Sequence, residues 1–296
     1  MKKRIGFLMA ALFLFTAAIT SQNEAKAIAD SDAGNATVVM DKPSFGYYKS
    51  GKAVDKNNTP LKLKLKSSKA NQVIDEDKWF QNNKLSLKTY QVPNQNWGVS
   101  GNLPKGIDKE WDQLIVTSAF YDASYIYCTY GSDFSEGYIL NIYNAKTKKM
   151  VYSFDFSSYR YSPKYVKADY DFIQQRINWA VIKDNVLYVS HSHNTYAKSS
   201  NNQNAYITAI DLSDRSILWR TKALVSNASN FLIVDGVIIC GYGFTGESDY
   251  LYQVDLSTGK VLSKTPLKSA PSYIIKKGNS FYVRTYNTDY KFDIAR

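Results

Sequence analysis

A short motif centred on a polar turn occurs three times along the chain, and it constrains the fold more than any other feature. Residues 209–219 read AIDLSDRSILW, residues 253–263 read QVDLSTGKVLS and residues 142–152 read IYNAKTKKMVY. In each copy, apolar residues flank a cluster of Asp, Asn, Ser, Thr or Gly, which is the pattern of two strands joined by a tight turn. The chain is therefore predicted to consist of repeated β-hairpins.

Each copy of the motif lies within a group of four predicted strands. The predicted strands are 114–119, 125–131, 138–143 and 150–156; 179–183, 186–190, 205–210 and 217–221; 231–234, 237–241, 250–254 and 260–264; and an unfinished group of 273–276, 280–284 and 290–293. Four short antiparallel strands that recur about every 40 to 65 residues are typical of the blades of a β-propeller. We predict an all-β propeller of four-stranded antiparallel blades, with a β-sandwich as the alternative.

The unfinished last group indicates how the ring would close. We expect an N-terminal strand, at 61–65 or at 85–92, to supply the missing fourth strand. Residues 61–66 alternate Leu and Lys, so the leucines would face one side of a half-buried strand and the lysines the other. Three full blades, one partial blade and about 70 upstream residues predict about five blades.

The motif resembles the repeat of quinoprotein-type (PQQ-like) propellers, A-x-D-x-x-T-G-x-x-x-W. Residues 209–219 match it at Asp211 and Trp219, and the later copy has the Asp255, Thr258 and Gly259 of the family pattern. The resemblance covers about residues 112–296 and implies structural roles: Asp and Thr-Gly form the turn, while Trp packs between blades. Such propellers include quinone-dependent dehydrogenases and non-catalytic scaffolds. The dehydrogenases carry an adjacent Cys pair that this chain lacks, so we favour the non-catalytic members and expect no cofactor.

The N-terminus has the pattern of a secretory signal peptide, residues 1–27. Three basic residues precede an apolar run from Ile5 to Ile19, and the small-residue triplet Ala25-Lys26-Ala27 follows. The run is too short for a membrane span, which needs about 20 residues. We therefore predict a secreted protein, extracellular or associated with the cell wall, with a flexible lead-in at 28–60 and one propeller domain at 61–296.

The charge of the chain favours anionic surroundings without identifying a partner. Cleavage after residue 27 removes four basic residues and one acidic residue, so the formal net charge falls from +11 to +8. This excess predicts weak attraction to an anionic cell surface. The lysines of 61–66 either contribute to it or keep an exposed sheet edge from pairing with another chain. We expect no nucleic-acid partner for an exported protein, and we expect a monomer.

The two cysteines are predicted to be buried free thiols. When the second strands of the four groups are aligned, Cys128, Val189, Cys240 and Val283 occupy one equivalent position. Cys128 and Cys240 then lie two blades apart, whereas a disulfide needs Cα atoms within about 7 Å.

The same alignment places several candidate binding residues on one face of the propeller. The ends of the second and fourth strands emerge there, together with the insertions 157–176 and 194–204 and the segment 242–248. Long loops on a rigid frame are where binding residues concentrate, and aromatic groups mixed with basic ones suit glycans, peptides or proteins. The candidate binding residues are Tyr130, Tyr159, Tyr161, Tyr165, His191, His193 and Tyr242. The alternative is that the tyrosines of the insertion only pack over the ring.

Catalytic and metal-binding patterns are weak. His191 and His193 would point the same way on an extended segment, but no nearby cluster supplies further metal ligands, so we predict no metal site. Nucleophile-elbow, phosphate-loop and zinc-protease motifs are absent from the sequence. We therefore predict a binding or scaffold protein that engages a protein, peptide or cell-surface glycan, and not an enzyme. The alternative is a lyase or hydrolase at the mouth of the central channel, with a histidine as acid or base.

Overall fold

The computed structural model describes residues 38–43, 58–159 and 174–295. The predicted signal peptide lies outside these residues, as do most of the predicted lead-in and residues 160–173 of the long insertion. Tyr161 and Tyr165 are therefore among the residues that are not described. In the described part of the chain, none of the helices is long and apolar enough to cross a membrane.

The described residues form short strands and one α-helix. The strands, in chain order, are β1 (Met40–Asp41), β2 (Lys62–Ala70), β3 (Thr89–Tyr90), β4 (Glu110–Trp111), β5 (Leu114–Tyr121), β6 (Tyr125–Gly131), β7 (Ile139–Asn144), β8 (Met150–Asp155), β9 (Gln175–Lys183), β10 (Val186–His193), β11 (Tyr206–Asp211), β12 (Ile217–Arg220), β13 (Leu232–Val234), β14 (Val237–Tyr242), β15 (Tyr250–Asp255), β16 (Val261–Pro266), β17 (Pro271–Lys277), β18 (Ser280–Thr285) and β19 (Thr288–Ala295). Helix α1 spans Glu76–Asn83, and 3-10 turns lie at Val73–Asp75, Gln95–Trp97 and Ser157–Tyr159. Every strand predicted after residue 112 is present, whereas the strand predicted at 85–92 is reduced to β3.

The strands form four antiparallel sheets of four main strands each. The first sheet is β5 to β8, the second is β9 to β12, the third is β13 to β16, and the fourth is β17 to β19 with β2. In the first sheet, β3 and β4 also pair with β5, and β1 lies parallel to β8. The predicted class, mostly β with four-stranded antiparallel sheets, is confirmed, and successive meanders of this kind are propeller-like. The described residues contain four such sheets, where the sequence predicted about five blades.

The fourth sheet takes its outer strand from the N-terminal segment. Strand β2 runs antiparallel to β19, from the pair Thr288 and Ala70 to the pair Ala295 and Lys62. A bulge at Lys291 and Phe292 interrupts this register. The predicted alternation of buried leucine and exposed lysine holds only in part, because Leu65, opposite the bulge, is 52% exposed.

The predicted alignment of the second strands is confirmed by the ladder register. Each aligned residue is fully buried. Each one also faces the third-strand residue that lies three positions before an Asn or Asp of that strand. The facing pairs are Cys128 with Asn141, Val189 with Thr208, Cys240 with Tyr252, and Val283 with Tyr290. The two cysteines are free and buried, as predicted, and they lie in the first and third sheets with the second sheet between them.

Buried apolar clusters join each sheet to the next along the chain. One cluster contains side chains of the first and second sheets, another those of the second and third, and another those of the third and fourth. The fourth cluster joins the first sheet to residues of the N-terminal part such as Met40 and Ile107. Within the described residues, none of these clusters joins the fourth sheet to the first.

The repeated turns have the roles that the quinoprotein-type resemblance implies. The Asp255 carboxylate accepts hydrogen bonds from the backbone N–H groups of Ser257 and Thr258, both at 2.8 Å, and this fixes the turn. Gly259 then adopts a φ of +69°, and a Cβ there would lie 2.4 Å from the ring of Trp219 in the preceding sheet. The Asp and Thr-Gly of one repeat therefore shape a turn against which the Trp of the previous repeat packs.

Candidate functional site

The candidate site is a cavity of about 670 Å³ at which the first strands of several sheets meet, here called the central cavity. One wall consists of β5 and β9 residues from the first and second sheets, and Tyr273 of β17 contributes from the fourth. Helix α1 and residues 85–92 complete the wall between the fourth sheet and the first. The volume lies in the range of pockets that hold small organic ligands.

Hydroxyl groups line the floor of the cavity along the first sheet. The Thr129 hydroxyl lies 3.0 Å from that of Thr117 and 2.7 Å from that of Ser118. Gly137 packs over this group, and a Cβ there would lie 2.8 Å from the Thr117 hydroxyl oxygen. The hydroxyls therefore form a connected row that is kept in place by a residue without a side chain.

Aromatic rings form two other parts of the lining. Phe120 and Trp179 stack across the junction of the first and second sheets, with ring centroids 4.3 Å apart and an angle of 16° between planes. Phe80 of α1 meets Tyr273 of the fourth sheet edge to face, with centroids 5.2 Å apart. Tyr90 of β3 also lines the cavity. The lining thus combines aromatic rings with polar groups.

The charged residues of the lining are three carboxylates and one guanidinium group. They are Glu76 and Asp77 at the start of α1, Glu136 between β6 and β7, and Arg176 of β9. The Tyr273 hydroxyl donates to the Glu76 carboxylate at 2.8 Å, and burial together with this hydrogen bond raises the pKa of Tyr273 above its ordinary value. Glu136 is 4% exposed and accepts a hydrogen bond from the Ser132 hydroxyl at 2.7 Å.

The structure places the described candidate residues of the sequence analysis inside the protein. Tyr130, Tyr159, His191, His193 and Tyr242 are all buried, at 5% exposure or less. A strand sandwiched between neighbouring sheets has both faces covered, so aromatic side chains near its end are buried with it. As ligand-binding residues, these five and the two undescribed tyrosines stay a prediction, and none of the described five lines the central cavity.

Of these five residues, Tyr159 and His191 contact each other. The Tyr159 and His191 rings lie 4.4 Å apart, and the guanidinium of Arg220 lies 4.6 Å from the Tyr159 centroid. His191 shares a hydrogen bond of 2.9 Å with the Thr208 hydroxyl. Burial, then the nearby positive charges of Arg220 and His193, hold the pKa of His191 well below its ordinary value, which keeps the imidazole neutral.

The other candidates make contacts of their own, and His193 lies close to His191 on β10. Tyr130, in the first sheet, donates to the backbone oxygen of Asp108 at 2.8 Å. In the second sheet, the backbone N–H of His193 donates to the Asn204 side chain at 2.6 Å. In the third sheet, the Tyr242 hydroxyl donates to Glu247 at 2.5 Å. Each of these groups is thus part of the packing of its own sheet.

Two of the loops predicted to share a face do meet. Tyr196 and Phe244 contact edge to face, with centroids 5.0 Å apart, and the backbone N–H of Ala197 donates to Glu247 at 2.7 Å. Tyr196 is 49% exposed. The segments 194–204 and 242–248 therefore form one surface, as the strand directions predicted.

The residues that line the central cavity were not predicted from the sequence. Glu76 and Asp77 lie in the first turn of helix α1. Which sheets the helix bridges depends on distant contacts. Glu136 precedes the predicted strand 138–143 and Trp179 begins the predicted strand 179–183, and no sequence motif marks either of them as a binding residue. In the described residues, no group of three or more His, Cys, Asp or Glu side chains is arranged to hold a metal ion.

Comparison with known proteins yields structural similarity without sequence relatives. No protein-family model and no curated protein match the chain. The computationally designed Ika8 protein is similar at 11% sequence identity and a TM-score of 0.42, with 64% of this chain and 48% of that chain covered. BamB from Moraxella catarrhalis is similar at 11% identity and a TM-score of 0.33, with 58% of this chain and 56% of that chain covered. Quinohemoprotein alcohol dehydrogenase ADHIIG from Pseudomonas putida HK5 is similar at 13% identity and a TM-score of 0.39, with 67% of this chain and 30% of that chain covered. The chain thus spans 30% to 56% of the length of these three proteins. The sheet topology itself defines the propeller-like fold.

Proposed function

We propose that the protein is an exported, non-enzymatic binding protein and that its ligand is a glycan held in the central cavity. The frame is a propeller that β2 closes by completing the fourth sheet, with residues 71–92 between that sheet and the first. Export is supported by the signal-peptide pattern of residues 1–27. The protein acts as a monomer, and the exposed lysines of β2 add weak attraction to an anionic cell surface.

The observation that supports a glycan is the combination of flat aromatic faces with hydroxyl and amide groups in one cavity. A sugar ring has apolar C–H faces, which suit the rings of Trp179 and Phe80, and polar edges, which need hydrogen-bond partners. The Thr129 hydroxyl row and Asn178 provide such partners. A pocket with this mixture fixes the orientation of a ligand as well as its affinity.

Calorimetric titration of the purified protein with a panel of neutral, amino and acidic oligosaccharides tests the proposal. Ser229 is exposed and lines the cavity, so a Ser229→Trp variant places a large side chain in it, at the loss of the hydrogen bond between Ser229 and Tyr273. Ser124 is also exposed but lies in the β5–β6 turn, and Ser124→Trp is the matched control. Binding of at least one oligosaccharide should fall about tenfold or more in the first variant and stay unchanged in the second. Equal affinities in both variants would place the ligand outside the cavity.

A hydrolase is the second candidate function, because Glu76 and Glu136 line the same cavity from different walls. Glycosidases use a pair of carboxyl groups that flank the scissile bond. The histidines of the sequence-based alternative are not part of this lining. Release of reducing ends from a bound oligosaccharide, lost in a Glu136→Gln variant that still binds it, would support hydrolysis over binding alone.

A further inference from the structure

We propose that the ligand of the central cavity is a chain of several sugar units, which continues out of the cavity along a row of aromatic residues, one from each sheet. This inference rests on the glycan-binding role proposed above and adds the length of the ligand and the path that it follows. Three features carry the inference: an aromatic residue at a recurring position, the contacts between neighbouring members of the row, and the support of an exposed ring by its loop.

The connection between the second and third strands carries an aromatic residue in each of the four sheets. In every case the first aromatic residue lies within three positions of the end of the second strand. These residues, here called the aromatic row, are Phe134, Tyr196, Phe244 and Tyr286. Tyr196 is 49% and Tyr286 is 66% exposed, and the other two are partly exposed. Exposed aromatic side chains at the same place in successive sheets indicate a surface that contacts a ligand.

Contacts join the members of the aromatic row from the second sheet to the fourth. The rings of Tyr196 and Phe244 meet edge to face, with centroids 5.0 Å apart. Gly243, next to Phe244, packs so closely on Ala270 that a Cβ would lie 2.6 Å from the Ala270 Cα. The backbone oxygen of Ala270 accepts a hydrogen bond from the Tyr286 N–H at 3.0 Å. The three connections therefore form one continuous surface.

The aromatic row begins in the central cavity. Phe134 is part of the cavity lining, as is Arg176 of the second sheet. The Arg176 Nε donates to the backbone oxygen of Ser135 at 2.8 Å, which ties the connection that holds Phe134 to the second sheet. Arg176 also pairs with Ser192 near the end of β10, and the loop with Tyr196 follows that strand. A ligand that leaves the cavity past Phe134 therefore meets the loop of Tyr196 next.

The ring of Tyr196 is supported by a fixed loop. The buried side chain of Asn204 accepts from the His193 N–H at 2.6 Å and donates to the His193 backbone oxygen at 2.9 Å. The Glu247 carboxylate accepts from the Ala197 N–H at 2.7 Å and so links this loop to the third sheet. A group that is held in place before binding loses little conformational freedom when a ligand stacks on it.

A surface that repeats from sheet to sheet suits a ligand that repeats from unit to unit. Each sugar ring of a chain offers an apolar face that can stack on an aromatic ring, and hydroxyl groups at its edge. Exposed amide side chains of the same loop can pair with those hydroxyls, namely Asn194, Asn201 and Asn202. One or two sugar units would occupy the cavity alone, whereas a longer chain would also reach Tyr196.

The decisive experiment compares two probes that differ only in length, the dimer and the hexamer of N-acetylglucosamine. Titration calorimetry of the full chain should give the hexamer an affinity about tenfold higher, because only the hexamer reaches the aromatic row beyond the cavity. Tyr196→Ala should weaken binding of the hexamer by about three- to tenfold and leave the dimer unchanged, since one stacking contact is lost. Ser229→Trp should weaken both probes, because both enter the cavity.

A control variant tests whether the position of the exposed ring matters. Trp97 is 82% exposed, but it belongs neither to the aromatic row nor to the cavity lining. Trp97→Ala should therefore leave both affinities unchanged. A loss of hexamer binding in this variant equal to that in Tyr196→Ala would assign the effect to exposed aromatic groups in general and overturn the inference.

The remaining outcomes separate this inference from the proposed function. Equal affinity for the two probes, or an unchanged hexamer affinity in Tyr196→Ala, overturns the path along the aromatic row and leaves glycan binding in the cavity in place. Hexamer binding that is lost in Tyr196→Ala and retained in Ser229→Trp keeps the row and overturns the cavity. Binding of neither probe overturns the inference, and if the whole oligosaccharide panel also fails to bind, the proposed function fails with it.

Discussion

The junctions between consecutive sheets differ in construction from the junction between the fourth sheet and the first. At the former, side chains of the repeat pack directly, as Trp219 does against Gly259. Between the fourth sheet and the first, residues 71–92 lie between the sheets. On the side of the fourth sheet, the Gln72 backbone oxygen accepts a hydrogen bond from Arg284 at 2.7 Å, and the Glu76 carboxylate accepts one from Tyr273 at 2.8 Å. On the side of the first sheet, β3 pairs with β5. The central cavity opens beside this second kind of junction.

This difference between the junctions indicates that repeat and non-repeat residues have different roles. Repeat residues satisfy each other's hydrogen bonds and fill the space between sheets, so they build a rigid frame. Non-repeat residues bridge a gap that the frame leaves open, and they contribute Glu76, Asp77 and Phe80 to the cavity lining. Function in a repeat fold is expected where the regular packing stops.

The largest effect is expected from a substitution at a repeat-built junction. Gly259→Ala would force a side chain onto a φ of +69° and place its Cβ 2.4 Å from the Trp219 ring. Backbone strain and overpacking together should lower the free energy of unfolding by about 3 kcal/mol, as measured by chemical denaturation.

Gly278→Ala is the matched control for this substitution. Gly278 has a φ of +57°, but a Cβ there meets nothing within 4 Å. Gly278→Ala should lower the free energy of unfolding by about 1 kcal/mol, because only the strain of the backbone is added. Equal losses in the two variants would contradict direct packing of one repeat on the next.

A smaller effect, this time an increase in the free energy of unfolding, is expected from a substitution in the non-repeat segment that precedes β15. One carboxylate oxygen of Asp249 is buried without a hydrogen-bond partner in the structure. Burial, and next the nearby Glu247, raise the pKa of Asp249 from 3.8 to about 6. The folded state therefore binds a proton more tightly than the unfolded state, so this carboxyl destabilises the fold above about pH 6 and ceases to do so as the pH falls towards 4.

Asp249→Asn should thus raise the free energy of unfolding at about pH 7.5 by roughly 1 kcal/mol, a value reduced from the full shift because the group is partly exposed. The gain over wild type should shrink as the pH falls through 6 in denaturation experiments. Asp235→Asn, at an exposed turn residue, should show no such dependence. A gain that is constant with pH would assign the effect to packing instead of charge.

The smallest effect on stability is expected at the junction between the fourth sheet and the first. Tyr273→Phe removes the 2.8 Å hydrogen bond to Glu76, which should lower the free energy of unfolding by less than about 1 kcal/mol. Hydrogen exchange should become about threefold or more faster within α1 and stay unchanged in β9 to β12. Tyr282→Phe on β18 is the control, because no hydrogen bond of its hydroxyl is among the described contacts. Faster exchange throughout the sheets would show that the bridge is as integral to the frame as the repeats.

Local sequence patterns were sufficient to predict the four-stranded antiparallel sheets, but not their number. The Asp255 carboxylate bonds to backbone groups two and three positions along the chain, and short apolar runs flank such turns in each repeat. The alignment of Cys128 and Cys240 followed from the same periodicity. These features depend on neighbours in the chain or on the equivalent residue of the next repeat.

The central cavity could not be predicted in the same way. Its lining combines Glu76, Glu136 and Tyr273, which are distant in the chain and occupy no shared position of the repeat. Leu65 shows a similar limit, since the bulge on β19 that accompanies its exposure lies in the partner strand. The buried state of Tyr130 and Tyr242 also depends on neighbouring sheets, which a strand pattern does not describe.

The pairing of β2 with β19 has a consequence for how the molecule acquires its structure. The strand at 62–70 is synthesised before the first three sheets, and its partner at 288–295 is synthesised after them. The fourth sheet therefore cannot be completed until the strands of the other three sheets have been made. Contacts so far apart in sequence make for slow folding, so the fourth sheet is expected to be the last of the four to form.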